Sequence, residues 1–284
     1  VKNTHVLIAL FTLCACLLAT ATQAKTMKDI PYGEAKAQKL DVYLPTKAHD
    51  SPIMFMVHGG AWRIGDKANS NTVDAKVARW VKRGWTFVSI NYRMLPDTPP
   101  YQQAEDVAKA LAHVKTHSAE WGADNKNIVV IGHSAGAHLL SLLLTDPNLS
   151  TPNSLNGVRG GILLDSAALD VHKIMTNKHP RFYNRVFGDD PNYWRKNSAI
   201  EHLHQGVKPL LLVCSTQRDD SCPQAETFVQ KADQLKVQTT LLKVDLSHRQ
   251  INASLGTQTT YTENVEHFIR GLAPSLHSVL PPKN

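Results

Sequence analysis

Ile128-Val129-Val130-Ile131-Gly132-His133-Ser134-Ala135-Gly136-Ala137-His138-Leu139-Leu140 is the stretch that decides the fold. Four β-branched apolar residues read as a buried strand, and the apolar run Ala137–Leu144 reads as a helix. Between them lies Gly132-His133-Ser134-Ala135-Gly136, a G-x-S-x-G pentapeptide. A serine on a tight strand-to-helix turn is exposed for nucleophilic attack, and flanking glycines let strand and helix pass close together. A helix N-cap serine needs neither glycine. The strand, turn and helix in that order therefore point to a nucleophile rather than a cap.

Working outward, the rhythm of short apolar runs alternating with helical stretches repeats along the chain, the pattern of a parallel sheet covered on both faces. Strands are expected at Lys39–Leu44, Ile53–Val57, Thr86–Ile90, Gly161–Leu164, Leu210–Val213 and Thr239–Val244. Helices are expected at Ala75–Lys82, Gln102–His117, Pro223–Leu235 and Glu263–Leu272. Between Ser166 and Lys208 the rhythm fails, and Phe182, Tyr183, Phe187, Tyr193 and Trp194 stand among polar residues. This segment reads as a cap-like insertion over the carboxyl ends of the strands, with Phe182 and Phe187 lining a substrate pocket.

The strand Ile53–Val57 runs into His58-Gly59-Gly60-Ala61-Trp62. Backbone N–H groups aimed at a developing oxyanion lower the barrier to acyl transfer, and a glycine pair removes side chains from their path. The N–H groups of Gly60, Ala61 and Ala135 are the candidates. Trp62 and His133, beside these loops, are candidate pocket residues.

The motifs HGGAWRIGDK (His58–Lys67), NYRMLP (Asn91–Pro96) and GHSAGAHL (Gly132–Leu139) resemble those of the α/β-hydrolase superfamily. The likeness is greatest to hormone-sensitive-lipase-like and BD-FAE-like carboxylesterases, a group that includes kynurenine formamidases, and it runs from Leu40 to about Gly271. It implies an α/β-hydrolase fold with a mostly parallel central sheet. It also implies a triad in the order serine, acid, histidine, with the acid after the penultimate core strand and the histidine after the last.

His248, after Thr239–Val244, fits the base. The acid is less determined, because Ser215-Thr216-Gln217-Arg218-Asp219-Asp220-Ser221-Cys222-Pro223 departs from the family's Gly-x-x-Asp pattern. Counting back from Pro223 favours Asp219, the Asp-Ser-Cys context favours Asp220, and the balance falls to Asp220. The other is then a solvated carboxylate paired with Arg218, and Asp165 is a distant third candidate. Cys214 and Cys222 bracket this loop, either bridged or as two buried thiols.

The resemblance implies ester hydrolysis with small to medium acyl groups, on a small-molecule substrate and with no metal or organic cofactor. Alternatives are an arylformamidase-type amide hydrolase and an inactive hydrolase fold used for binding. His113 and His117 share a helix face without a third ligand and read as solvated. The chain of 284 residues is 42% hydrophobic and 19% charged, which excludes disorder and disulfide-dense mini-folds. Its formal charge of +7 lacks a basic run interleaved with aromatics, so nucleic acid is not an expected partner.

Lys2, the apolar run Val6–Ala19 and the small residues to Ala24 read as a signal peptide over residues 1–24. The apolar run is too short for a membrane span. Residues 25–284 then form one domain, exported to the periplasm or secreted, with a lipid anchor at Cys16 as the rival reading. Nothing in the sequence speaks to oligomeric state.

Overall fold

A computed structural model describes residues 25–150, 154–277, 279 and 280. The expected leader and Cys16 lie outside the described residues. The strands are β1 (Lys25–Pro31), β2 (Lys39–Leu44), β3 (Ser51–Val57), β4 (Thr86–Ile90), β5 (Ala123–His133), β6 (Val158–Leu164), β7 (Leu210–Ser215) and β8 (Thr239–Val244). The helices are α1 (Ser70–Trp80), α2 (Pro100–His117), α3 (Ala135–Thr145), α4 (Val171–Thr176), α5 (Phe182–Phe187), α6 (Pro191–Lys196), α7 (Ser221–Gln234), α8 (His248–Ala253) and α9 (Thr260–Leu272).

All eight strands form one sheet in the order β1-β2-β4-β3-β5-β6-β7-β8. β2 is antiparallel to both β1 and β4, and β4 through β8 run parallel. This is the α/β-hydrolase arrangement expected of the sequence. β1 carries no apolar alternation in Lys25-Thr26-Met27-Lys28-Asp29-Ile30-Pro31, and it is mostly exposed, so only pairing with β2 reveals it.

Burial on both faces explains the continuous apolar strands. In β3, Ile53, Phe55 and Val57 enter one core while Met54 and Met56 enter the other. The first core lies under α2, α3, α7 and the insertion. The second lies under α1 and α9, with Val73 and Trp80 of α1 meeting Val265 and Ile269 of α9 in the same cluster. Arg79 and Arg83 fasten these two helices through the buried Glu266 carboxylate, at 2.7 and 2.8 Å.

The insertion at 166–208 is not rhythmless. It holds α4, α5 and α6, each six residues long and too short to show a period. Asp170 and Asp190 cap two of them, accepting from the N–H groups of Lys173 and Asn192.

The turn at Ser134 is fixed by close approach. A Cβ on Gly136 would lie 2.3 Å from the Val57 carbonyl oxygen, and one on Gly132 would lie 2.5 Å from the Gly136 oxygen. We expect Gly136→Ala to lower stability by about 3 kcal/mol through backbone displacement. Gly271→Ala, where a Cβ meets nothing within 4 Å, should be neutral or stabilising. Urea denaturation midpoints of the two variants check the contrast.

Candidate functional site

Five loops meet at the carboxyl ends of the parallel strands, where this fold places its ligands. Ser134 follows β5 with φ 55° and ψ −119°, a conformation that costs on the order of 1–3 kcal/mol outside glycine. Its N–H donates to the Leu164 carbonyl at 2.8 Å, so the turn is held by the neighbouring strand. Ala135 is the first residue of α3, and its N–H therefore has no carbonyl partner within the helix.

After β3 the chain reverses tightly. Gly60 has φ 129°, and Ala61 and Trp62 follow with φ 49° and 59°. The Gly60 carbonyl accepts from the N–H groups of Arg63 and Ile64, and a Cβ on Gly60 would fall 1.8 Å from the Ile64 oxygen. The loop is anchored from behind, since Tyr92 Oη donates to the His58 carbonyl at 2.9 Å and stacks on the His58 ring. Asn91 Oδ1 accepts from the Lys67 N–H at 2.6 Å, which ties HGGAWRIGDK to NYRMLP.

His248 opens α8. Ser247 and Gln250 form a reciprocal capping box at this helix start. His248 Nδ1 meets Asp165 Oδ2 at 2.5 Å. A carboxylate only accepts, so Nδ1 carries the proton and Nε2 is left as a proton acceptor. Asp165, at the end of β6, is fully buried with φ 53°. It also accepts from Ser221 Oγ at 2.5 Å, the Ser215 N–H at 2.8 Å and Arg218 Nη1 at 2.8 Å. Burial alone would raise its pKa, but the hydrogen bonds from His248, Ser221, Arg218 and Ser215 outweigh it and hold the group below its ordinary value of 3.8.

Neither carboxylate of the β7–α7 loop fills this role. Asp220 is exposed and pairs with Arg218 Nη2 at 3.0 Å, and Asp219 is exposed beside it. The acid beside His248 is Asp165, and the expectation of Asp220 or Asp219 is corrected. The loop instead turns Arg218 inward, its Nη1 lying 2.9 Å from His248 Nδ1 and bonding Asp165. Cys214 and Cys222 are bridged across this loop, with Cα atoms 5.1 Å apart. A carboxylate ending the apolar run Gly161–Leu164 was the available signal for Asp165. No spacing announces Arg218 or Ser221.

Three further residues position these groups. His133 Nε2 donates to the His248 carbonyl at 3.0 Å, and burial with the neighbouring His248 pushes its pKa down to about 3, so the ring stays neutral. Lys76 is fully buried, and its amine reaches the Asn252 carbonyl at 2.6 Å and Asn252 Oδ1 at 2.9 Å. It thus closes the last turn of the helix that His248 begins, although burial lowers its pKa to about 7. Third, His138 Nδ1 accepts from Trp62 Nε1 at 3.0 Å while its Nε2 donates to the Asn197 carbonyl at 2.8 Å. One ring of α3 thereby holds both the loop after β3 and the insertion.

Gly60, Ala61, Ser134, Ala135, Asp165 and His248 line one cavity of about 500 Å³. Trp62, His133 and Phe182 also line it. Phe187 does not: it is 1% exposed and packs edge-on against Trp62, which corrects its expected pocket role. Of the other insertion aromatics only Tyr183 reaches the cavity. Among the described residues no cluster of three His, Cys, Asp or Glu is placed to hold a metal ion, and no helix is long and apolar enough to cross a membrane.

With this geometry, the comparisons with known proteins fall into one group. The BD-FAE family model matches residues 40–231. Esterase LipQ of Mycobacterium tuberculosis is 30% identical over 219 residues, covering 72% of this chain and 51% of the relative. Kynurenine formamidase of Danio rerio is 31% identical over 122 residues, covering 43% of this chain and 39% of the relative. The chain thus spans about half or less of these relatives. A truncated carbohydrate esterase from gut microbiota shares the fold at TM-score 0.73 and 18% identity, over 89% of this chain and 98% of that one.

The Asp165 network makes acid stability predictable. A carboxyl whose pKa is depressed by folding contributes stability above its unfolded pKa and loses it as pH falls through the folded value. Stability should therefore drop as pH falls below about 4, and Asp165→Asn should flatten that limb relative to its own neutral-pH value. Denaturant midpoints measured across pH 2 to 7 check this, and parallel curves for the two proteins would contradict it.

Proposed function

The chain belongs to the BD-FAE family, and on that premise we propose a serine hydrolase that cleaves carboxylic esters through Ser134, His248 and Asp165. The observation that carries the reading is the 2.5 Å contact of His248 Nδ1 with the buried Asp165, on the wall of the cavity that Ser134 shares. Ser134 Oγ attacks the ester carbonyl carbon while His248 Nε2 takes its proton. The carbonyl oxygen gains charge against the N–H groups of Gly60, Ala61 and Ala135. His248 returns the proton to the leaving alkoxide, and an acyl-enzyme remains. Water, deprotonated by the same nitrogen, then releases the acid and restores Ser134. Asp165 holds the tautomer and stabilises the imidazolium, without itself taking the proton.

The walls support a reading of substrate size. Ala167, Ala168, Phe182 and Tyr183 bound the apolar side of the cavity, and short to medium acyl groups fit a space of this volume. Export rests on the leader-like residues 1–24, and a Cys214–Cys222 bridge suits an oxidising compartment. Amide-side chemistry on an N-formyl arylamine is a second reading, favoured by the kynurenine formamidase relative.

Ser134→Ala, His248→Ala and Asp165→Asn should each cut ester turnover by about 10⁴-fold in folded protein. Asp220→Asn, which removes only a partner of Arg218, should cost less than about tenfold. Loss at Asp220 exceeding that at Asp165 would return the acid to the β7–α7 loop. A fluorophosphonate probe should label the wild type and not Ser134→Ala, and N-formylkynurenine run beside p-nitrophenyl acetate separates the two chemistries.

Acetate and butyrate p-nitrophenyl esters should be cleaved at least about tenfold faster than the palmitate ester. Phe182→Ala should narrow that gap. A wild-type preference for palmitate would contradict the size argument.

A further inference from the structure

A second cavity, of about 410 Å³, begins where the first ends. The two share Gly60 and Ala61 of the loop after β3, and also Ile64 and Phe182. Ile64 and Phe182 are 67% and 42% exposed, the two large hydrophobic residues left open among those described. Leu95, Pro96 and Val186 extend the apolar wall beyond them. An apolar group leaving the reaction centre past Gly60 and Ala61 would enter this space and cover both exposed side chains.

Its charged lining is of one sign. Arg63 and Arg185 are exposed on its wall, and no carboxylate lines it. Asp97, next in the chain to Pro96, lies outside the lining. Elsewhere Arg79, Arg83, Arg93, Arg195 and Arg218 each meet a carboxylate within 4 Å. Among the described residues Arg63 and Arg185 form no such pair, and neither do Arg159, Arg181, Arg249 and Arg270, but of these six only Arg63 and Arg185 line this cavity. The wall of the reaction cavity differs in kind, with Asp66, Asn69, Asn71 and Thr72 among its lining. The two cavities therefore differ in charge, the first lined by Asp66 and Asp165 together with Arg218 and Arg249, the second apolar with two guanidinium groups and no carboxylate.

We propose that this second cavity is a subsite for the remote part of the substrate, an apolar aryl or alkyl group ending in a carboxylate. The inference rests on the esterase reading of Ser134 and adds the charge of the molecule it cleaves. Guanidinium groups at an apolar rim pair with a carboxylate in bidentate geometry, and the apolar stem covers Ile64 and Phe182. The carboxylate can sit on the acyl side or on the leaving group, and two substrate pairs distinguish these.

4-Acetoxybenzoate against 4-acetoxybenzamide carries the charge on the leaving group. The monophenyl ester of adipic acid against its terminal amide carries it on the acyl chain. In one of the pairs the carboxylate form should show a kcat/KM about fivefold or more above the amide at low ionic strength, shrinking in about 0.5 M NaCl. The ratio should fall to near one in Arg63→Gln/Arg185→Gln. It should persist in Arg159→Gln/Arg270→Gln, which removes the same charge at the opposite end of the sheet. Hydrolysis of all four esters with ratios near one, or ratios unmoved by Arg63→Gln/Arg185→Gln, would overturn the proposal while leaving the esterase reading intact. Absence of any hydrolysis would instead count against the esterase reading. In that event calorimetric binding of 4-phenylbutyrate against 4-phenylbutyramide decides the subsite, with tighter carboxylate binding lost in the double arginine variant as the supporting result. Equal binding of the two compounds would overturn it.

Discussion

The carboxylate of Asp165 is the point on which the site depends. An ionised carboxyl removed from water is unfavourable unless every lone pair is met, and here four donors meet it. They come from four places in the chain: the end of β7, the first residue of α7, the intervening loop and the start of α8. The need to satisfy one buried charge therefore sets the path of the β7–α7 loop and the entry of α8. Ser134 is held to the same centre, since its N–H bonds the carbonyl of Leu164, the residue before Asp165. His248 and Ser134 are thus located relative to one strand end rather than to each other.

Around that centre the supporting contacts favour neutral groups. His133 and His138 are kept uncharged by burial, so each bonds carbonyls or an indole without adding a second charge near His248. Lys76 grips α8 through neutral acceptors only, and it is the amine whose burial pulls it towards neutrality. Asp165, Arg218 and Asp220 are linked in turn by ion pairs, from a fully buried carboxylate to an exposed one.

Much of this arrangement was legible in the sequence because it is written in local patterns. β2, β4 and β8 were read at their observed limits, and the remaining core strands were read within theirs, because their apolar runs stand out between turn residues. The pentapeptide and the glycine pair identified Ser134 and the loop after β3. α1 was read five residues late because its first turn, Ser70-Asn71-Thr72-Val73-Asp74, is largely polar and depends on the Asn69 cap. α8 went unread although Ser247 and Gln250 carry the spacing of a capping box. The acid was misplaced for a different reason. A family pattern directs attention to the loop after β7, whereas the fold satisfies His248 from the adjacent strand, and strand adjacency is a tertiary fact. Phe187 illustrates the same limit, because an aromatic side chain in an irregular segment does not reveal whether it faces a cavity or a neighbouring tryptophan.

The ring of His138 has a consequence for how the molecule can change. One imidazole joins α3 to Trp62 on one side and to Asn197 on the other. The insertion is therefore not a detachable module. Transplanting residues 166–208 from a relative would break a bond to α3 and leave a buried ring nitrogen without its acceptor, unless the donor segment brings a carbonyl to the same place. Recombination boundaries drawn at 166 and 208 alone would cut between this histidine's two bonds.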